Sequence, residues 1–203
     1  MSCKERSAID NKAILSAEDE AGLDATIQVI AANHGYVSNL MQTLALAPQG
    51  LAAFAALTAY ARHESDLTEL QRQLTILVAV RGVHYGWTHH APLAQAAGAT
   101  QEQVMLLREG RIPKDLPAAE HALCDYAFEI SAGRRVAQRV AEGVHGHFSP
   151  RQIVDIALLT SCSMAAAALA TGLEVPIEPA ETLQFELEWE LQRASGGPVP
   201  AAS

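Results

Sequence analysis

The sequence predicts an all-α fold, a compact multi-helix domain, and three observations carry that reading. Hydrophobic residues make up 49% of the 203 residues but aromatics only 5%, so alanine and leucine must fill the core. Such a composition suits helices packed closely over small side chains. Apolar residues recur at helical spacing along most of the chain, and helix start and stop signals punctuate that spacing. Charged residues are 18% of the total, which excludes global disorder. One domain with tails is expected at this length, large enough to bury a core without disulfide staples.

Residues 1–15 are polar and mixed and read as a loose arm, and the helical domain is expected over 16–180. Ser16 and Asp19 mark a helix start, followed by Leu23, Ile27 and Ile30 at helical spacing and by a break at Gly35. Val37 to Leu44 gives a second short helix and Leu51 to Ala61 a third. Thr68 to Val80 carries an apolar stripe, interrupted at Gly82. His84 to Ala97 reads as a helix closed by Gly98. Thr100 and Gln103 form a capping-box pattern that opens a helix ending at Gly110. Ala118 to Ala132 and Val136 to Val144 are further helices. Ser149, Pro150 and Gln152 give the sharpest start signal, with a hydroxyl cap, proline at the first helical position and glutamine at the third. That helix runs to about Thr171, and Pro176 and Pro179 make a rigid connector. Residues 181–194 form a separate segment in which Leu183, Phe185, Leu187, Trp189 and Leu191 alternate with polar residues. Period alone reads as a strand, whereas the interleaved glutamates favour a helix with no partner strand in sight. The segment is a candidate subunit contact, and 195–203 read as a disordered tail.

Fourteen basic against twenty-three acidic residues give a net charge of −9, without the electrostatic footprint of a nucleic-acid binder. Ile156 to Leu173 comes nearest to an apolar membrane span, but its alanines, serines and threonines read as a buried helix. No secretory leader is expected from the charged, polar N-terminus. Cys3, Cys124 and Cys162 are an odd count without short spacing, which points to a reducing compartment and a cytoplasmic location.

One stretch concentrates chemistry: Arg81-Gly-Val-His-Tyr-Gly-Trp-Thr-His-His90. On a helix Val83, Gly86, Trp87 and His90 share a face. His90 suits proton transfer near neutrality, or a buried hydrogen bond to a carbonyl. His84 is either a second proton-transfer group or a solvated residue at the helix start. His89 lies about 100° away from His90 and is expected at the surface or an interface. The spacing that places two imidazoles on one helical face is missing from His84, His89 and His90, so no metal site is expected, even with His145 and His147 elsewhere in the chain. Trp87 reads as a pocket wall or core, and Tyr85 as core or a subunit contact or, with Trp87, as pocket lining. Arg81 can clamp a carboxylate or pair with a surface acid. Gly86 costs a helix about 1 kcal/mol against alanine, a cost easier to bear where something approaches the backbone.

These segments together resemble the carboxymuconolactone decarboxylase and alkylhydroperoxidase D-like family. The resemblance covers roughly residues 34–178. It runs from His34-Gly-Tyr-Val-Ser-Asn-Leu40 and Pro48-Gln-Gly-Leu51, through Leu70-Gln-Arg-Gln-Leu-Thr-Ile-Leu77 and Tyr85 to Gly98, to Gln152-Ile-Val-Asp155 and Gly172-Leu-Glu-Val-Pro176. It implies a compact all-helical fold, assembly as a homo-oligomer (trimer or hexamer), and a site at the start of the histidine-bearing helix. The family histidine falls on His90 and the glutamate of the preceding helix on Gln73. Redox members carry Cys-x-x-Cys where this chain has Val83 and Gly86, so their thiol chemistry is not expected here.

The functional expectation is a cofactor-free lyase, decarboxylase or isomerase acting on a small organic acid or lactone. His90 and His84 would be the catalytic pair, and Trp87, Tyr85, Arg81, Gln73 and Gly86 would surround the substrate. Two alternatives stand beside it: a ligand-binding or scaffold protein that keeps the fold without the chemistry, and a thiol peroxidase built on Cys124 and Cys162.

Overall fold

A computed structural model describes residues 17–196, all of them in helices, turns and loops. The expected arm at 1–15, Cys3 and residues 197–203 of the expected tail lie outside the described residues. Ten α-helices follow one another, with a π-helical turn at Tyr60–Glu64. The all-α expectation is therefore met among the described residues. Where the sequence predicts a single domain over 16–180 and a segment at 181–194, the chain groups into two compact units.

Among the described residues, the first unit takes 17–59 and 169–196. It contains α1 (Ala17–His34), α2 (Asn39–Leu44), α3 (Pro48–Ala59) and α10 (Ala180–Ala194). Leu23, Ile30, Met41, Leu51 and Ala55 form its apolar centre. Gly35 ends α1 with φ of 77°, in the left-handed region that glycine enters without strain. A Cβ at Gly35 would stand 2.5 Å from Trp189 Cδ1, so the glycine also makes room for the indole of α10. The alternating segment 183–191 is helical, within α10. Its buried positions are Glu186, Trp189 and Glu190, which share a helical face rather than alternate. Asn39 holds the connector in place, donating its backbone N–H to Glu178 Oε1 (2.7 Å) and its side-chain amide to the Pro176 carbonyl (3.0 Å).

The second unit takes residues 60–168. It contains α4 (Glu69–Val80), α5 (His84–Ala96), α6 (Gln101–Arg108), α7 (Ala118–Ser131), α8 (Gln138–His147) and most of α9 (Pro150–Gly172). Helix α4 is its spine: every residue from Gln73 to Val78 is buried, and α5, α6 and α7 pack around it. Three helix starts use hydroxyl caps with a reciprocal glutamine. Thr68 with Gln71 opens α4 and Thr100 with Gln103 opens α6. Ser149 with Gln152 opens α9, as its sequence signal predicts. The Asp155 carboxylate, 1% exposed, accepts the Tyr60 hydroxyl at 2.8 Å and the Asp66 backbone N–H at 3.0 Å. It thereby ties the π-helical turn and the loop after it to α9. Helix α9 is long and apolar enough to cross a membrane by length and composition, and half of its most apolar window is buried within the fold.

Candidate functional site

The first turns of α4 and the middle of α5 lie side by side, and a chain of polar contacts crosses between them. Glu69 and Gln73 are one helical turn apart on α4, which sets both side chains on one face. Gln73 Nε2 donates to Glu69 Oε1 at 2.7 Å, and Gln73 Oε1 stands 3.0 Å from His90 Nδ1 on α5. Arg72 donates to Glu69 Oε2 from Nε at 3.1 Å and from Nη2 at 2.9 Å. Its third nitrogen, Nη1, donates to the Leu67 carbonyl, so the guanidinium is anchored at both ends. Gln73 is 1% exposed, while His90 is half-buried.

Burial pushes the Glu69 carboxyl upward, but the hydrogen bonds from Gln73 and Arg72 and the nearby positive charge outweigh it and hold the group below its ordinary value. Glu69 is therefore a carboxylate at neutral pH. It also sits in the first turn of α4, where the helix dipole favours negative charge. The result is a half-buried imidazole whose neighbour Gln73 is itself held by the Glu69–Arg72 pair. That is an arrangement suited to moving protons at a defined position.

The other predicted residues are placed as follows. His84 is exposed in the first turn of α5, and its carbonyl accepts the Thr88 hydroxyl at 2.9 Å. It stands six residues before His90, about 9 Å along the helix axis. Tyr85 is half-buried with its ring 4.7 Å from that of His89. His89 is buried rather than at the surface, with the Tyr85 ring stacked near it. His84, His89 and His90 do not gather into a metal-ligating cluster. Trp87 is 6% exposed and lies in the apolar core, with the Arg108 guanidinium 5.1 Å from its ring centre.

Arg81 is neither a solvated surface charge nor paired with an acid among the described residues. It donates to the Val78 carbonyl and to Ser131 Oγ (3.0 Å), and it lies 4.8 Å from the centre of the Phe128 ring, which fastens the end of α4 to α7. Burial lowers its pKa from the ordinary arginine value. At Gly86, a Cβ would stand 2.9 Å from Val80 Cβ, so what approaches this backbone is the last turn of α4.

The two described thiols are poor nucleophiles. Burial pushes both up, Cys162 to about 11 despite the opposing charge of Arg62, so neither offers much thiolate at neutral pH. Sequence reasoning missed Glu69 and Arg72. The Thr68–Gln71 capping box would have set Glu69 in the first turn, one turn from Gln73, but the bond across to His90 is tertiary.

A scan against protein-family models finds no match, and a search of curated proteins finds none either. Solved structures do match. The debrominase Bmp8 superposes with a TM-score of 0.65 at 20% identity, over 86% of this chain and 96% of that one. A variant of Bmp8 was solved in complex with 2,3,4-tribromopyrrole. An uncharacterized peroxidase-related protein from Silicibacter sp. TM1040 matches with a TM-score of 0.67 at 21% identity, over 87% of this chain and 94% of that one. One from Ralstonia eutropha JMP134, described as an alkylhydroperoxidase AhpD core, matches with a TM-score of 0.67 at 20% identity, over 86% and 92%. These likenesses show the fold.

Proposed function

The chain has the AhpD-like fold, and from that premise we propose that it is an enzyme which moves protons with His90 rather than electrons with a thiol. Its substrate is a small organic acid or lactone, and the reaction is a decarboxylation or a related lyase or isomerase step that needs no cofactor. The observation that carries this reading is the chain from Glu69 through Gln73 to His90, which holds one imidazole nitrogen beneath a half-buried ring. General acid–base catalysis by a residue so held contributes typically about 10²–10⁴-fold. The thiol alternative loses support, since the family's cysteine positions are Val83 and Gly86 and the described cysteines are buried. His84, exposed at the helix start, is proposed as the second proton-transfer group, reached through substrate. Tyr85 would border the substrate from the same turn. A solved neighbour takes a small planar ligand, which fits a substrate of this size.

A ligand-binding or scaffold role has its own observation in favour. Trp87, Arg81 and Gly86, three residues expected around substrate, are engaged in packing α4, α5, α6 and α7 together. A homo-oligomer, trimer or hexamer, completes the proposal. The exposed face of α9 and the segment 181–194, with Leu191 45% exposed, would form its contacts.

A thermal-shift screen against small carboxylic acids, lactones and phenolic acids separates the readings, because a ligand that stabilises the protein binds its folded state. Each hit is then followed for turnover. Consumption by wild type but not by His90→Ala supports the enzyme. Binding without turnover supports the scaffold.

A further inference from the structure

We propose that Asp155 and Gln152, in the first two turns of α9, are positioning residues for the chain from Glu69 through Gln73 to His90. They hold the backbone of Asp66, and the carbonyls on either side of Asp66 fix Arg72 against Glu69. The inference rests on the reading of His90 as the proton-transfer group and extends its support to a third helix.

Asp66 lies in the loop between the π-helical turn and α4. Helix α9 takes both its N–H and its carbonyl. The N–H donates to Asp155 Oδ2 at 3.0 Å, and the carbonyl accepts from Gln152 Nε2 at 2.9 Å. Asp155 Oδ1 accepts the Tyr60 hydroxyl at 2.8 Å, so one carboxylate fixes the start of the π-helical turn as well as the loop behind it. That carboxylate is 1% exposed, and the Arg151 guanidinium stands 3.9 Å away with most of its surface in solvent. A charge so deeply placed is costly unless its oxygens are hydrogen-bonded. Here both oxygens bond the approach to α4.

The loop in turn anchors Arg72. Ser65 and Leu67 flank Asp66, and their carbonyls both accept from Arg72 Nη1, at 3.4 Å for Ser65. Nε and Nη2 of the same guanidinium hold Glu69 Oε2, and Glu69 Oε1 accepts from Gln73. An ion pair three residues apart on one helix is weak by itself and leaves long side chains room to rotate. The planar guanidinium loses that freedom only while its far edge stays on the loop. The Ser65 and Leu67 carbonyls keep their places because α9 grips the residue between them.

Two variants loosen the grip in different ways. Gln152→Glu keeps an oxygen for the Ser149 N–H, and so keeps the cap of α9, but it sets a carboxylate oxygen against the Asp66 carbonyl. Asp155→Ala removes the acceptor for Asp66 and Tyr60. Asp155→Asn is the conservative control. Its amide oxygen can accept the Asp66 N–H while its NH₂ donates to the Tyr60 oxygen, since a hydroxyl both gives and accepts. Gln152→Glu adds a negative charge and Asp155→Ala removes one, so a change common to both reports position rather than charge.

The test uses the full chain labelled with ¹⁵N in its glutamine side-chain amides, with the Gln73 signals identified by their loss in Gln73→Leu. Gln73 is 1% exposed, so its amide hydrogens are shielded from exchange with water. At neutral pH the wild-type hydrogen on Glu69 is expected downfield, as in a charge-assisted bond. In Gln152→Glu and in Asp155→Ala it is expected to move upfield and to exchange faster with solvent, and in Asp155→Asn to stay in place. Gly35→Ala, which lowers stability in the first unit, is expected to leave it in place too, which separates positioning from a general loss of stability. A Gln73 signal unmoved in folded Gln152→Glu overturns the proposal, whether or not Asp155→Ala folds. So does a shift in Gly35→Ala equal to that in Gln152→Glu. On a compound that wild type consumes, full activity of His90→Ala would instead remove the catalytic reading and leave the Gln73 result standing, so the two failures are distinct.

Discussion

Gly86 has a packing role in the structure. Val80 Cβ lies 2.9 Å from where a Gly86 Cβ would be, and Val80 Cγ1 lies 3.0 Å away. Alanine would gain about 1 kcal/mol of helix propensity. Overpacking a well-filled contact costs about 1–3 kcal/mol, so Gly86→Ala is expected to lower the urea midpoint. The same substitution in a Val80→Ala background, where the obstruction is trimmed, is expected to be less harmful than in wild type. Additive effects of the two changes would contradict the contact. Glu69 makes a second prediction. Its folded value lies below the ordinary 4.5, so it contributes stability above that value, and the contribution is lost as pH falls through the lowered one. The stability difference between wild type and Glu69→Gln in urea is expected to be present at neutral pH and to narrow as the solution is acidified below 4.5. A difference that widens in acid would reverse the sign.

Gly35, the residue after α1, lies against Trp189 of α10. Gly35→Ala forces a left-handed conformation on a residue with a side chain, a cost of about 1–2 kcal/mol. It also drives a Cβ to within 2.5 Å of the Trp189 ring. The two effects together predict a larger loss in urea midpoint than for Gly86→Ala, with the Trp189 environment altered in fluorescence. Most of the helices were legible from caps and stops, because those signals are local: Thr100, Ser149, Gly35 and Gly98 all act within a turn of their own position. Helix α10 was ambiguous because its apolar residues alternate, while its buried face includes Glu186 and Glu190, which hydropathy does not mark as inward. At the site, the resemblance names Gln73 and His90 as expectations, but the contact between them is tertiary and no local spacing announces it. Spacing alone leaves Arg81 and Trp87 open to a ligand-facing role, because nothing local announces the Ser131 hydroxyl, the Phe128 ring or the Arg108 guanidinium that engage them.

At the scale of the whole molecule, the acidic balance of −9 and the small, uncharged residues on the outer face of α9 beyond Arg151 point in different directions. Val154 is 57% exposed, and Ser161, Ala165 and Ala168 continue its stripe at helical spacing, all exposed. A second copy of the chain is the proposed cover. Light scattering on the purified protein is expected to give three or six times the chain mass, and Ala165→Arg is expected to lower it. A monomer in wild type would contradict the assembly.

The central claim is that His90 moves a proton. The most direct measurement is kcat/KM of wild type and His90→Ala on a compound that both stabilises and is consumed by the wild-type protein, with folding of the variant checked by its own melting curve. A loss of about 100-fold or more is the predicted result. Turnover by a folded His90→Ala at near the wild-type rate would contradict it.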